Sequence, residues 1–235
     1  MVSFPAGATP LFTESFEAAP HYTVQNGGSS GSGSFFSVLS GGGLDLGYIP
    51  GGIDGSAYFG GRDLDGFPSS GPPWQISFDP VDITGIDDVQ VSLDLSALNA
   101  PVFEDDDVLS LQYRILSGPF SGPAIVLDTF TGAAAGGFLE NAGTALSEVF
   151  ASFDYHIANP TDTSKSLLLE LVVTGFDGLD EAFALDRVLV SDAGSAGGGA
   201  GTGSVPEPGA LALLAGGLLA LRLAPARKAR QTDPA

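Results

Sequence analysis

The stretch "VQVSLDLSAL", residues 89–98, constrains the fold of this chain more than any other feature. Val89, Val91, Leu93 and Leu95 alternate with Gln90, Ser92, Asp94 and Ser96. Successive side chains of an extended segment point to opposite faces, so a period of two describes a strand with one apolar and one polar face. "VLSLQYRIL" repeats the pattern through Leu109, Leu111, Tyr113 and Ile115, and "AFALDRVLVS" supplies another strand, with Phe183, Leu185, Val188 and Val190 apolar. "SLLLELVVTG" is apolar on both faces apart from Glu170, which suits an inner strand. Shorter strand candidates occupy residues 35–39, 44–48, 56–60, 74–78, 123–130 and 149–157. Turn sequences such as "PGGIDG", "SSGPP", "SGPFSGP" and "FDGLD" separate them, drawing on the chain's 34 glycines and 16 prolines. Residues 133–148 read as a loop or a single helical turn. About ten strands without an amphipathic helix predict an all-β, antiparallel sandwich of jelly-roll type. It is expected to span residues 11–191, behind an N-terminal extension at 1–10.

Charge narrows the partners. The 235 residues carry a formal net charge of −20. Four cations, Arg62, Arg114, Lys165 and Arg187, face 26 acids in the first 206 residues. Phosphate backbones would be repelled by such a body, so no nucleic-acid partner is expected. Cysteine is absent, which removes disulfides, thiol catalysis and thiolate metal sites.

The C-terminal region reads differently. "DAGSAGGGAGTGS", residues 192–204, lacks the apolar surface needed to offset its ordering entropy and reads as a linker. Val205, Pro206, Glu207, Pro208 and Gly209 follow, then an uncharged Leu/Ala/Gly run to Leu221, then Arg222, Arg227, Lys228 and Arg230. As a short transmembrane-type helix the run would reach roughly 20 Å across a hydrocarbon core of ~30 Å. Snorkelling of Arg222 and local bilayer thinning would absorb part of the deficit, with the basic cluster left on the cytoplasmic side. A proline-flanked glutamate, an apolar helix and an arginine-rich end, in that order over residues 205–230 and before a short tail at 231–235, resemble the PEP-CTERM sorting signal of Gram-negative bacteria. The resemblance implies recognition by an exosortase, an integral-membrane transpeptidase-like cysteine protease. It also implies transient residence in the inner membrane through the C-terminal helix, then delivery to the cell surface or an exopolysaccharide matrix. "MVSFPAGATPLFTESFE" has no basic n-region and no apolar h-region, so a signal peptide is expected from codons upstream of Met1.

Candidate sites lie at both ends of the body. "LFTESFEAAPHY" carries Glu14 and Glu17, and "FALDRVLVS" carries Asp186. An N-terminal "FE" paired with a C-terminal acidic strand resembles jelly-roll carbohydrate-binding modules and related bacterial surface sandwiches. That resemblance implies one structural Ca²⁺ held by Glu17 and Asp186, with Glu14 nearby; Arg187 stands where the pattern has a second Asp. Such an ion needs six to eight oxygens. "FEDDDVLS" and "GIDDV" read as solvated turns, because adjacent acids on a strand diverge and neither has EF-hand spacing. In "GGRDLDGFP", Asp63 and Asp65 lie two apart in a glycine-rich loop and are candidates for chelation or ligand contact. Trp74, the sole tryptophan, could serve as a flat platform for a sugar ring or as a core anchor at a strand's start.

Catalytic motifs are lacking. The chain has two histidines, His21 and His156, no HExxH and no G-x-S-x-G. Its 28 acids nominate no particular pair for glycoside hydrolysis. The expected function is that of an exported, non-enzymatic, calcium-stabilised protein of the cell surface or exopolysaccharide matrix. The alternatives are a carbohydrate-binding module that attaches to extracellular polysaccharide, and a secreted polysaccharide hydrolase.

Overall fold

The computed structural model describes residues 9–30, 33–40, 46–48, 50–66, 71–118, 120–133, 137–159 and 165–193. The first strands are β1 (Thr9–Glu14), β2 (Tyr22–Gln25), β3 (Gly28–Ser29), β4 (Phe35–Ser40) and β5 (Ala57–Arg62). A 3₁₀ turn at Leu64–Gly66 separates these from β6 (Trp74–Phe78), β7 (Val81–Asp82), β8 (Asp88–Ala97) and β9 (Val108–Ser117). Then come β10 (Phe120–Ser121), β11 (Ile125–Thr131), β12 (Glu140–Asn141), β13 (Thr144–Ala145), β14 (Ala151–Ala158), β15 (Ser166–Thr174) and β16 (Ala182–Asp192).

Two antiparallel sheets form a sandwich, as the alternation predicts. The first sheet has the order β14-β8-β16-β5-β4-β3, with β1 also paired to β16. The second has the order β13-β12-β11-β9-β15-β6-β2, with β10 on β9 and β7 on β15. Val89, Val91, Leu93 and Leu95 of β8 are fully buried between the sheets, against Leu109, Leu111, Leu169 and Leu171 of the second sheet. Aromatic rings fill the space beside them; Phe36 and Phe59 meet edge-on with centroids 4.8 Å apart. Sheet faces pack about 10 Å apart when their inner side chains interdigitate.

Two expectations change. Residues 46–48 and 50–56 form no strand; they run over the outer face of the first sheet, where Tyr48 Oη lies 3.1 Å from Ser96 Oγ. A parallel bridge from Gly51 to Val149 fastens this segment beside β14. Residues 140–145, within the region read as a loop or helical turn, instead form the β12–β13 hairpin. Contacts divide the chain into a unit at Met1–Ala196 and one at Gly197–Ala235. The second unit, with the expected transmembrane-type helix and sorting motif, lies outside the described residues. Among the described residues no helix is long and apolar enough to cross a membrane.

Candidate functional site

The polar face of β8 is where sequence and structure diverge most usefully. Alternation leaves Ser92, Asp94 and Ser96 facing water, yet all three are buried. Tyr48 meets Ser96, residues 52–54 border the cleft with Asp94, and Ser92 Oγ donates to Asp154 of β14, so all three find partners or cover within the protein. β16 lies beside β8 with Asp186 directly opposite Asp94, and the register shifts between Asp186 and Val188. The inserted residue is Arg187, a bulge with φ +35°. A bulge re-aims one side chain while the strand continues in phase; here Leu185 and Val188 both remain in the core.

The re-aimed guanidinium meets Asp94. Arg187 Nη2 donates to Asp94 Oδ1 at 2.9 Å and to Ser152 Oγ at 3.3 Å, and Ser152 Oγ donates to Asp94 Oδ1 at 2.5 Å. Arg187 Nε is buried and has no hydrogen bond among the described residues. Asp186 is fully buried, accepting from Asp54 N at 2.7 Å and Arg187 N at 2.8 Å. Burial holds its carboxyl above the usual range despite those two donors, and the charges of Asp94 and Asp54 push the same way. Gly52, Ile53, Asp54 and Phe150 complete a cleft of about 310 Å³ with Asp94, Ser152 and Arg187. The lining is largely polar, and its fixed hydroxyl, carboxylate and guanidinium groups suit a ligand rich in hydroxyls.

The sequence-predicted calcium ligands are arranged otherwise. Glu17 and Asp186 do reach the same loop, 54–57, but by accepting N–H groups. Glu17 accepts from the backbone of Ser56 and Ala57 and from Ser56 Oγ, and those donors, led by Ser56 N, hold its carboxyl below the ordinary value. Glu14 turns to Phe16 N at 2.6 Å and His21 N at 2.9 Å. Each of these carboxylates thus has N–H partners, and Glu14, Glu17 and Asp186 do not all come within 4.8 Å of one another as a ligand group would.

A different acidic group lies at another end of the sandwich. Pairing of Val108 with Thr174 sets the turn at 103–107 beside the one at 175–181. Glu104, Asp177 and Glu181 each offer a carboxylate oxygen within 4.8 Å of the others. Asp107 accepts from Glu104 N at 2.7 Å and from Phe176 N, and its carboxyl is pushed up to about 6, chiefly by burial. Glu181, 3% exposed, accepts from Gly178 N at 2.7 Å; burial first, then contact with Glu104, pushes it up to about 8. A hard, oxygen-liganded cation such as Ca²⁺ matches this donor set. "FEDDDVLS" therefore folds as a turn, but the strand register gives it acidic company that linear spacing does not reveal.

Asp63 accepts from Ser34 Oγ, and Asp65 is held above its ordinary value by burial and by the charges of Asp63 and Asp177. Both belong to this acidic end rather than to the cleft. Trp74 corrects the reading of it as a sugar platform. Its ring is 2% exposed and packs between the sheets, and its indole nitrogen has no partner among the described residues. A ring so placed presents no face to a ligand.

The fold and cleft define an all-β sandwich whose covered sheet face carries a small polar site. No protein-family model and no curated protein matches the chain. Among solved structures, it is similar to the C-terminal family 22 carbohydrate-binding module of Clostridium thermocellum Xyn10B. Identity is 12%, coverage 81% of this chain and 98% of that one, and TM-score 0.45. It is also similar to the K2 cleaved adhesin domain of Lys-gingipain, at 17% identity, 76% and 98% coverage, and TM-score 0.41. A third is the N-terminal module pair of the same Clostridium xylanase complexed with xylohexaose: 11% identity, 79% of this chain, 29% of that one, TM-score 0.44.

Proposed function

We propose that this chain is a non-enzymatic polysaccharide-binding protein that works outside the cytoplasm, with the cleft beside Arg187 as its binding site. The cleft itself carries the proposal. Its polar groups are held by one another before any ligand arrives, through the shared contacts of Arg187, Ser152 and Asp94. Phe150 borders the site while its ring packs edge-on against Tyr58, so recognition falls to the polar groups. Preformed polar groups keep the ordering cost of binding low.

A non-enzymatic role is supported by how the acids are used. Glycoside hydrolysis needs two carboxyl groups that both reach the scissile bond. In the cleft Asp186 is fully buried and Asp94 is tied to Arg187 and Ser152, which leaves Asp54 as its one exposed carboxyl among the described residues; at the acidic end Glu181 is nearly buried. Calcium forms part of the proposal at Glu104, Asp177 and Glu181, which would hold it and cross-link two turns. Export and surface delivery rest on the PEP-CTERM-like order of residues 205–230, with an exosortase and the membrane as transient partners.

Isothermal titration of the full chain against a panel of neutral and charged polysaccharides tests the binding role. Saturable binding weakened about tenfold by Ser152→Ala, with the variant's melting profile intact, is the expected result. Absence of saturable binding to every polysaccharide, or undiminished binding by the variant, overturns it.

A further inference from the structure

The charge inside the cleft selects among polysaccharides. Three carboxylates, Asp54, Asp94 and Asp186, lie in or directly behind it, and Arg187 is its cation among the described residues. Arg187 Nη2 bonds both Asp94 and Ser152, so part of its charge is balanced within the protein. An anionic ligand brought to this guanidinium would meet three carboxylates against one cation. Asp54 is placed differently. Its backbone N–H is fixed by Asp186 Oδ2, while the residue stands exposed at the cleft's edge. The chain's net charge of −20 adds a long-range field that repels anionic chains and gathers cationic ones.

We infer that the cleft takes a glycan bearing protonated primary amines, an amino-sugar chain that is not fully N-acetylated, with an ammonium set against Asp54. This inference rests on the polysaccharide-binding reading and narrows it to one chemical class. Hydroxyls of the same residue would engage Ser152 and Asp94. A free amine is what separates such a sugar from its acetylated or uronate-bearing counterparts.

The test compares a glucosamine trisaccharide with its fully N-acetylated form by calorimetry, using the full chain at mildly acidic pH. At low salt the amine form is expected to bind at least about tenfold more tightly, and salt screening should reduce that advantage. Asp54→Asn should remove most of it. Asp79→Asn, at an exposed acid paired with His21, should leave it intact. Equal or tighter binding of the acetylated form overturns the inference while polysaccharide binding stands. Equal losses in both variants also overturn it, because they indicate diffuse attraction of a cation to an acidic protein. If neither sugar binds and no neutral polysaccharide does, both readings fall.

Discussion

Asp186 and Glu17, 169 positions apart, hold the same loop by its backbone. Asp186 Oδ2 accepts Asp54 N–H at 2.7 Å, and Glu17 Oε1 accepts Ala57 N–H at 2.6 Å. Between them Gly55 has φ +103°, where a side chain is strained, and a Cβ there would stand 2.4 Å from Glu17 Oε1. The loop borders the cleft at Asp54, so two acids distant in sequence fix one edge of the binding surface.

Gly55→Ala is therefore expected to cost about 1–2 kcal/mol through the left-handed backbone. For a body of this size that lowers the melting temperature by about 3–6 °C. Thermal denaturation followed by circular dichroism measures it. Asp186→Asn should do less harm than Asp186→Ala, since an amide oxygen can still accept one of the two N–H groups.

The bulge makes a second prediction. Arg187 and Asp94 are 19% and 10% exposed as side chains, so each shields the other's charge from an unfavourable environment. Removing one partner strands the other, which is costly; removing both is less so. Arg187→Ala and Asp94→Ala are each expected to destabilise by about 2–3 kcal/mol. The double variant should fall short of their sum by at least about 1 kcal/mol. A urea-denaturation cycle supplies the number, and strict additivity would show that the pair is not coupled.

Parts of this arrangement are legible in the sequence. The apolar positions Phe183, Leu185, Val188 and Val190 step by two, three and two, and the step of three marks the bulge at Arg187. The sandwich itself follows from the alternation in β8, β9 and β16. What linear reading misses depends on contacts between distant segments. Asp94 and Ser96 read as a solvated face because nothing local announces that Tyr48 and residues 52–54 come to lie beside them. Glu104 and Glu181 are 77 positions apart and meet through strand register. Trp74 begins its strand as either reading of it required; only packing shows that the ring faces inward.

The C-terminal pattern predicts a processing defect. With a cleavable leader fused ahead of Met1 and expression in a Gram-negative host that encodes an exosortase, the chain should reach the surface fraction shortened at its C-terminus. Glu207→Ala, or truncation before Val205, should abolish that shortening. Mass spectrometry of the C-terminal peptide decides it. An uncut terminus on surface-delivered wild-type protein would dismiss the sorting proposal.

The acidic end gives the body an unusual dependence on pH. Glu181 is pushed up to about 8 and Asp107 to about 6, chiefly by burial. Between the ordinary carboxylate range and those values, the folded chain retains protons that the unfolded chain has released. Stability from this cluster is therefore greatest in acid and declines as pH rises through about 5 to 8, then levels off. In chelator, wild type minus Glu181→Gln should show that falling difference, since glutamine stays neutral throughout. A divalent cation reverses the logic, because it stabilises the ionised carboxylates that protons otherwise keep neutral. Added Ca²⁺ should raise the wild-type melting temperature more at pH 8 than at pH 5; free calcium 100-fold above Kd stabilises the fold by about 2.7 kcal/mol. Glu181→Gln, which loses one charged ligand, should blunt the response. Identical melts with calcium and with chelator at pH 8 would remove the ion from the acidic end and leave its carboxylates to share protons alone.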